Sequence, residues 1–116
     1  MSETIAKPRP EAVPAELLRR IVEQLNPRRV ILFGSRALGT AHEDSDWDLL
    51  VVVDDDAPKG AISSRALYEA GRGFRGAVDL LALRESSFQN RRDIVGSLPW
   101  IALTDGVIVY ERHNDA

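Results

Sequence analysis

Gly34-Ser35 is followed, after ten residues, by Asp46-Trp47-Asp48. Each half of this stretch suits a phosphate ester in a different way. A glycine lets the backbone approach a phosphate closely. A helix beginning there would offer unbonded N–H groups and the positive end of its dipole. The Ser35 hydroxyl can add a hydrogen bond to a phosphate oxygen, and Arg36 can either neutralise charge or face solvent. Asp46 and Asp48 are separated by one residue, so in an extended chain their side chains share a face. Two carboxylates aimed at one volume repel and raise each other's pKa. A cation relieves that repulsion, and two carboxylate oxygens completed by phosphate oxygens and water suit Mg²⁺. Trp47, pointing the other way, is expected in packing.

Asp79 is the third candidate. It stands within Ala77-Val78-Asp79-Leu80-Leu81-Ala82-Leu83, which is otherwise apolar. A charge in such a run is costly unless it is exposed, paired or metal-bound. A strand-edge position or an ion pair is the ordinary explanation. If this run lies beside the Asp46–Asp48 strand, three carboxylates converge. Three suit two metal ions about 4 Å apart, an arrangement used for in-line displacement at phosphorus. Asp54-Asp55-Asp56 competes as a metal site, but three adjacent acids close to Pro58 read better as a solvated loop. His42 and His113 lie in polar surroundings with no evident partner. Lys59, Arg72 and Arg75 read as a solvated basic face.

The elements that must position these residues follow from periodicity and breakers. Leu17, Leu18, Ile21, Val22 and Leu25 fall on one helical face over 14–25. Pro14 suits its first turn, and Asn26-Pro27 ends it. Val30 to Phe33 is a short buried strand. Gly34-Ser35 turns into a short helix closed by Gly39, and Ala41 to Ser45 is a polar loop. Trp47 to Val53 is apolar enough to be buried on both faces. A helix is expected over about 61–72, a flexible turn at Gly71, Gly73 and Gly76, and a strand from Ala77 to Leu83. Ser86 or Ser87 could cap a further helix running to about Val95. Pro99 opens another helical turn, and Asp105-Gly106 leads into a last strand, Val107 to Tyr110, suited to a sheet edge. This α-β-α-β-α-β-α-β order predicts an α/β (α+β) fold, a mixed sheet of about four strands with flanking helices.

Bulk properties narrow the function classes. The chain has 116 residues, and one domain over 14–112 is expected, preceded by a flexible lead-in over 1–13. It has no cysteine, so disulfides and thiolate metal sites are excluded. No stretch approaches the roughly 20 apolar residues of a membrane span. With no apolar signal core at the N-terminus, the expected location is the cytoplasm. The formal net charge of −3 argues against general nucleic-acid binding by bulk charge.

Gly34-Ser35, Asp46 and Asp48, with Arg36, Gly39, Ser45 and Leu49 around them, resemble the signature of the minimal nucleotidyltransferases of the DNA polymerase β superfamily. The likeness covers about residues 14–111 and includes the closing Gly106 to Glu111. It departs at Leu38, where many relatives carry an arginine, a role Arg36 could fill. The resemblance implies a polymerase-β-like fold and transfer of a nucleoside monophosphate from ATP or another NTP to a hydroxyl, with two Mg²⁺ ions as cofactor. On this pattern Asp46 and Asp48 bind both metals. Asp79 binds the one nearest the nucleophile and helps take its proton. Gly34, Ser35 and Arg36 hold phosphates. The resemblance also implies an antitoxin paired with a HEPN-domain toxin and adding AMP to a tyrosine of it. Neutralisation by contact alone is an alternative. Transfer to a small molecule such as an aminoglycoside is disfavoured, because no added acceptor-binding domain is evident.

Overall fold

The computed structural model describes residues 10–113. Its architecture grows from one strand, Trp47–Val53 (β2), in which every residue except Asp48 is buried. β2 lies between Arg29–Phe33 (β1), antiparallel to it, and Val78–Arg84 (β3), parallel to it. Val107–Glu111 (β4) pairs antiparallel with β1, so the sheet order is β3-β2-β1-β4 and β4 lies on an edge, as expected. The helices are Ala15–Leu25 (α1), Ser35–Leu38 (α2), Ser64–Gly71 (α3), Glu85–Arg91 (α4) and Leu98–Asp105 (α5).

Alternation divides the core between the two faces of the sheet. Leu49, Val51 and Val53 join Val30 and Leu32 in packing against Leu17, Ile21 and Leu25 of α1 and Ala70 of α3. Ile31, Leu50 and Val52 pack on the other face against Phe88 of α4 and Ala102 of α5. Both faces of β2 are therefore covered, and its near-continuous apolar sequence follows from that.

α1 ends where Asn26 adopts a left-handed conformation and Pro27 follows. The helix expected over 61–72 is divided. Lys59–Ile62 is a single 3-10 turn, Ser63 is extended, and its hydroxyl accepts the Ala66 N–H to start α3. Gly71 is not part of the flexible turn. It is the last residue of α3 and is buried, and a Cβ there would lie 2.9 Å from Val78 Cγ1. Its lack of a side chain brings α3 onto β3.

α4 also differs from expectation at both ends. It starts at Glu85, and neither Ser86 nor Ser87 caps it. The Asp55 carboxylate caps it from a distance, accepting the Ser86 N–H at 2.9 Å. It stops at Arg91 because Ser97 intervenes. That hydroxyl donates to the Arg91 carbonyl at 2.6 Å and accepts the Trp100 N–H at 3.3 Å, opening α5. The lead-in expected over 1–13 lies mostly outside the described residues; within it, the Glu11 N–H donates to the Arg36 carbonyl at 2.9 Å. Among the described residues no helix is long and apolar enough to cross a membrane.

Phe88 is the largest side chain closing the α4–α5 face. Phe88→Ala is expected to lower unfolding free energy by about 3–5 kcal/mol, read as a shift of the urea midpoint.

Candidate active site

Three strand ends meet at one edge of the sheet. β1 runs out at Phe33, β2 begins at Trp47, and β3 runs parallel to β2 from Val78. The register pairs Phe33 with Asp48 and Asp48 with Asp79. Residues paired across adjacent strands project to the same side, so Asp48 and Asp79 share the α4–α5 face. Asp46 precedes β2, and its charge acts on Asp48. All three are at least partly open to solvent.

Gly34 joins the phosphate turn to this group. Its φ of 76° and ψ of −160° belong to a region essentially restricted to glycine. A Cβ there would collide with the Asp48 carboxylate. The turn and the carboxylate thus occupy adjoining space. Ser35 opens α2, and the N–H groups of Ser35 and Arg36 have no carbonyl within the helix to reach. Gly39 closes α2 in a left-handed conformation, as expected.

The family model for a nucleotidyltransferase domain matches residues 15–101, most of the chain. The chain belongs to this nucleotidyltransferase family. Two solved structures share its fold, each with a TM-score of 0.58. One is a toxin–antitoxin complex with AMP-PNP, 22% identical over 84% of this chain and 72% of that one. The other is a mutant of the toxin–antitoxin pair MntA–HpeT, 20% identical over 83% of this chain and 71% of that one. Among curated proteins there is no significant match.

For a member of this family the electrostatics of the three carboxylates are informative. None of them makes an ion pair among the described residues. Asp48 titrates above the ordinary carboxylate range, first because it is partly buried, then because Asp79 and Asp46 repel its charge. Asp79 and Asp46 act on Asp48, but the three do not close into a metal cage. Among the described residues no group of three acidic or histidine side chains is close enough to hold a cation by itself. Like charges with nothing between them stand apart. The chemistry of these donors fits a hard cation only as an open site: Asp46 and Asp48 would supply carboxylate oxygens, and substrate and water would have to complete the shell.

Arg36 departs from expectation. It is 4% exposed, and its side chain turns into the protein rather than out from the turn. Its guanidinium lies 4.1 Å over the Trp47 ring, on the face of the sheet opposite the carboxylates. Nε and Nη2 donate to the Ser45 carbonyl at 3.0 and 2.7 Å, Nη2 to the Glu43 carbonyl at 3.1 Å, and Nη1 to Glu11 Oε1 at 3.0 Å. Four of its five N–H groups are thereby bonded, and in this conformation Arg36 serves the loop and Glu11 rather than the phosphate turn. Glu11 was missed by sequence reasoning, since an acid in a proline-rich segment carries no periodic signal.

Asp54 and Asp55 have structural partners at the far end of β2. Asp54 accepts from Arg112 at 2.6 Å and Arg28 at 3.1 Å, which hold its carboxyl below the usual range. With Asp55 capping α4, this run is not a metal site. His42 and His113 are exposed.

The raised pKa of Asp48 fixes a sign. Above the ordinary aspartate pKa its ionised form is disfavoured in the fold, so the charge weakens the native state; below that pKa both states are protonated and the penalty vanishes. Metal-free Asp48→Asn is therefore expected to be more stable than wild type at neutral pH. Urea titrations repeated at about pH 3 should show the difference gone, since both forms are then neutral at this position. Gly34→Ala should lose about 1–3 kcal/mol through backbone strain alone, again read from urea unfolding.

Proposed function

We propose that this protein transfers a nucleoside monophosphate, AMP from ATP, to a hydroxyl on a partner protein, a tyrosine of a HEPN-type toxin, and serves as that toxin's antitoxin. The observation that carries the reading is the in-register Asp48–Asp79 pair, with the charge of Asp46 acting on Asp48 and with Asp48 abutting Gly34. Family membership supports the reaction class. The likeness of fold to a toxin–antitoxin structure holding AMP-PNP supports the nucleotide and the kind of partner.

In this reading the acceptor oxygen forms a bond to the α-phosphorus as the bond to the bridging oxygen breaks, and pyrophosphate leaves. The Ser35 hydroxyl and the N–H groups opening α2 hold the β and γ phosphates. Asp79, exposed at the start of β3, accepts the proton of the attacking hydroxyl. Mg²⁺ held by Asp46 and Asp48 would neutralise charge building on the phosphoryl oxygens.

Neutralisation by contact is the second reading. Ile94 and Val95 stand 56% and 77% exposed in the α4–α5 connection, an apolar surface for another chain. Phe88 is not part of such a surface, being 1% exposed.

Incubation with α-labelled ATP, Mg²⁺ and the toxin should label the toxin. Asp46→Asn with Asp48→Asn should reduce labelling by about a hundredfold or more, the scale expected when charge stabilisation at a transition state is removed. No labelling by wild type would sink the transferase reading. Full toxin neutralisation by the double variant, with the complex intact, would favour contact.

A further inference from the structure

Asp46 is the least supported of the three carboxylates. It is exposed and precedes β2, so the sheet ladder does not hold it. What holds its neighbours lies behind the sheet. On one side of Asp46 the Ser45 carbonyl receives two hydrogen bonds from Arg36. On the other side the Trp47 ring lies under the same guanidinium. The Trp47 N–H also donates to the Ala77 carbonyl at 2.8 Å, tying the segment to the approach to β3. Gly76 leaves room for this, since a Cβ there would stand 2.7 Å from the Ser45 carbonyl oxygen.

We infer that Arg36 is a positioning residue for the cation site, and that Glu11 completes it by holding the buried guanidinium in place. The inference rests on the proposed reading of Asp46 and Asp48 as cation ligands. One flat guanidinium joins four pieces of chain: α2, the loop at Glu43–Ser45, the ring of Trp47 and the segment before α1. A buried charge is stabilised only when paired and hydrogen-bonded. Among the described residues Glu11 is the acid paired with Arg36, at 3.0 Å. Its own N–H bonds the Arg36 carbonyl at 2.9 Å, so side chain and backbone grip the same residue. Lysine cannot replace this fork. A single ammonium has no plane to lay on Trp47 and cannot reach the Ser45 carbonyl twice while meeting Glu11. The segment before α1 is thereby part of the site, although it touches neither carboxylate.

The test is Mn²⁺ binding, followed by loss of the free-ion EPR signal, for wild type, Arg36→Lys, Glu11→Ala and Asp48→Asn, with thermal melts alongside. Arg36→Lys is expected to weaken Mn²⁺ binding by about tenfold or more, the usual effect of removing a group that orients a metal ligand. Glu11→Ala should move it in the same direction. The Mg²⁺ concentration for half-maximal transfer should rise with it, while kcat at saturating Mg²⁺ is largely kept. A merely structural role would lower the melting temperature and leave the affinity of the folded protein unchanged. Wild-type affinity in both Arg36→Lys and Glu11→Ala, with binding lost in Asp48→Asn, would overturn the inference and leave the proposed function standing. Equal binding by wild type and Asp48→Asn would instead remove the cation reading itself. If Arg36→Lys does not fold, Glu11→Ala decides, because it removes only a side chain at the rim of the core.

Discussion

The register of β2 between β1 and β3 is the constraint on which the rest depends. Six buried residues of β2 alternate between two packed faces, so neither neighbour can slip by one residue without inverting a whole hydrophobic set. That same register sets Asp48 beside Asp79 and opposite Phe33. The alignment of the carboxylates is thus a by-product of core packing. A one-residue slip would carry Asp48 to the side where Trp47 packs, and the site would vanish with the fold.

The two ends of β2 show opposite electrostatic logic. Asp48 is the second residue of β2 and Asp54 follows its last. Asp54 sits among Arg28 and Arg112, and its carboxyl is held low. Nearby, Glu85 is paired with Arg29 at 2.7 Å. Charge at that end is balanced and serves the fold. Asp48 is partly buried and the charges acting on it are those of Asp79 and Asp46, so its carboxyl is pushed up. Holding that carboxylate ionised is a cost in the free protein, whereas the charges at the Asp54 end stabilise the fold.

Legibility in the sequence followed how each feature is encoded. Strands buried on two faces announce themselves as apolar runs, and β2 was readable to the residue. The phase of alternation placed Asp46 and Asp48 on one side and Trp47 on the other. The positions of the candidate residues with a local signal, Gly34 at a turn and the acids near strand ends, were also readable. What escaped depends on partners distant in sequence. Asp55 caps α4 across the fold. Ser97 both ends α4 and begins α5. Gly71 looks like a turn residue until Val78 is seen against it. Arg36 looks like a phosphate ligand because it follows Gly34-Ser35, and only its acceptors reveal its direction.

The burial of Arg36 also changes how charge on the phosphate turn must be understood. The family resemblance leaves Leu38 where an arginine often stands, and Leu38 is half exposed beside the turn. With Arg36 directed behind the sheet, neither position offers a cation to a phosphate. Arg75, on a neighbouring loop, is paired with Glu43 at 3.2 Å. What remains at the turn is uncharged: the Ser35 hydroxyl, the close approach allowed by Gly34 and the N–H groups that open α2. Backbone donors fix direction well but carry no full charge. On the proposed reading, neutralisation of a triphosphate would therefore rest more heavily on cations held by Asp46 and Asp48. Nucleotide and metal would then bind together, each stabilising the other where Gly34 abuts Asp48.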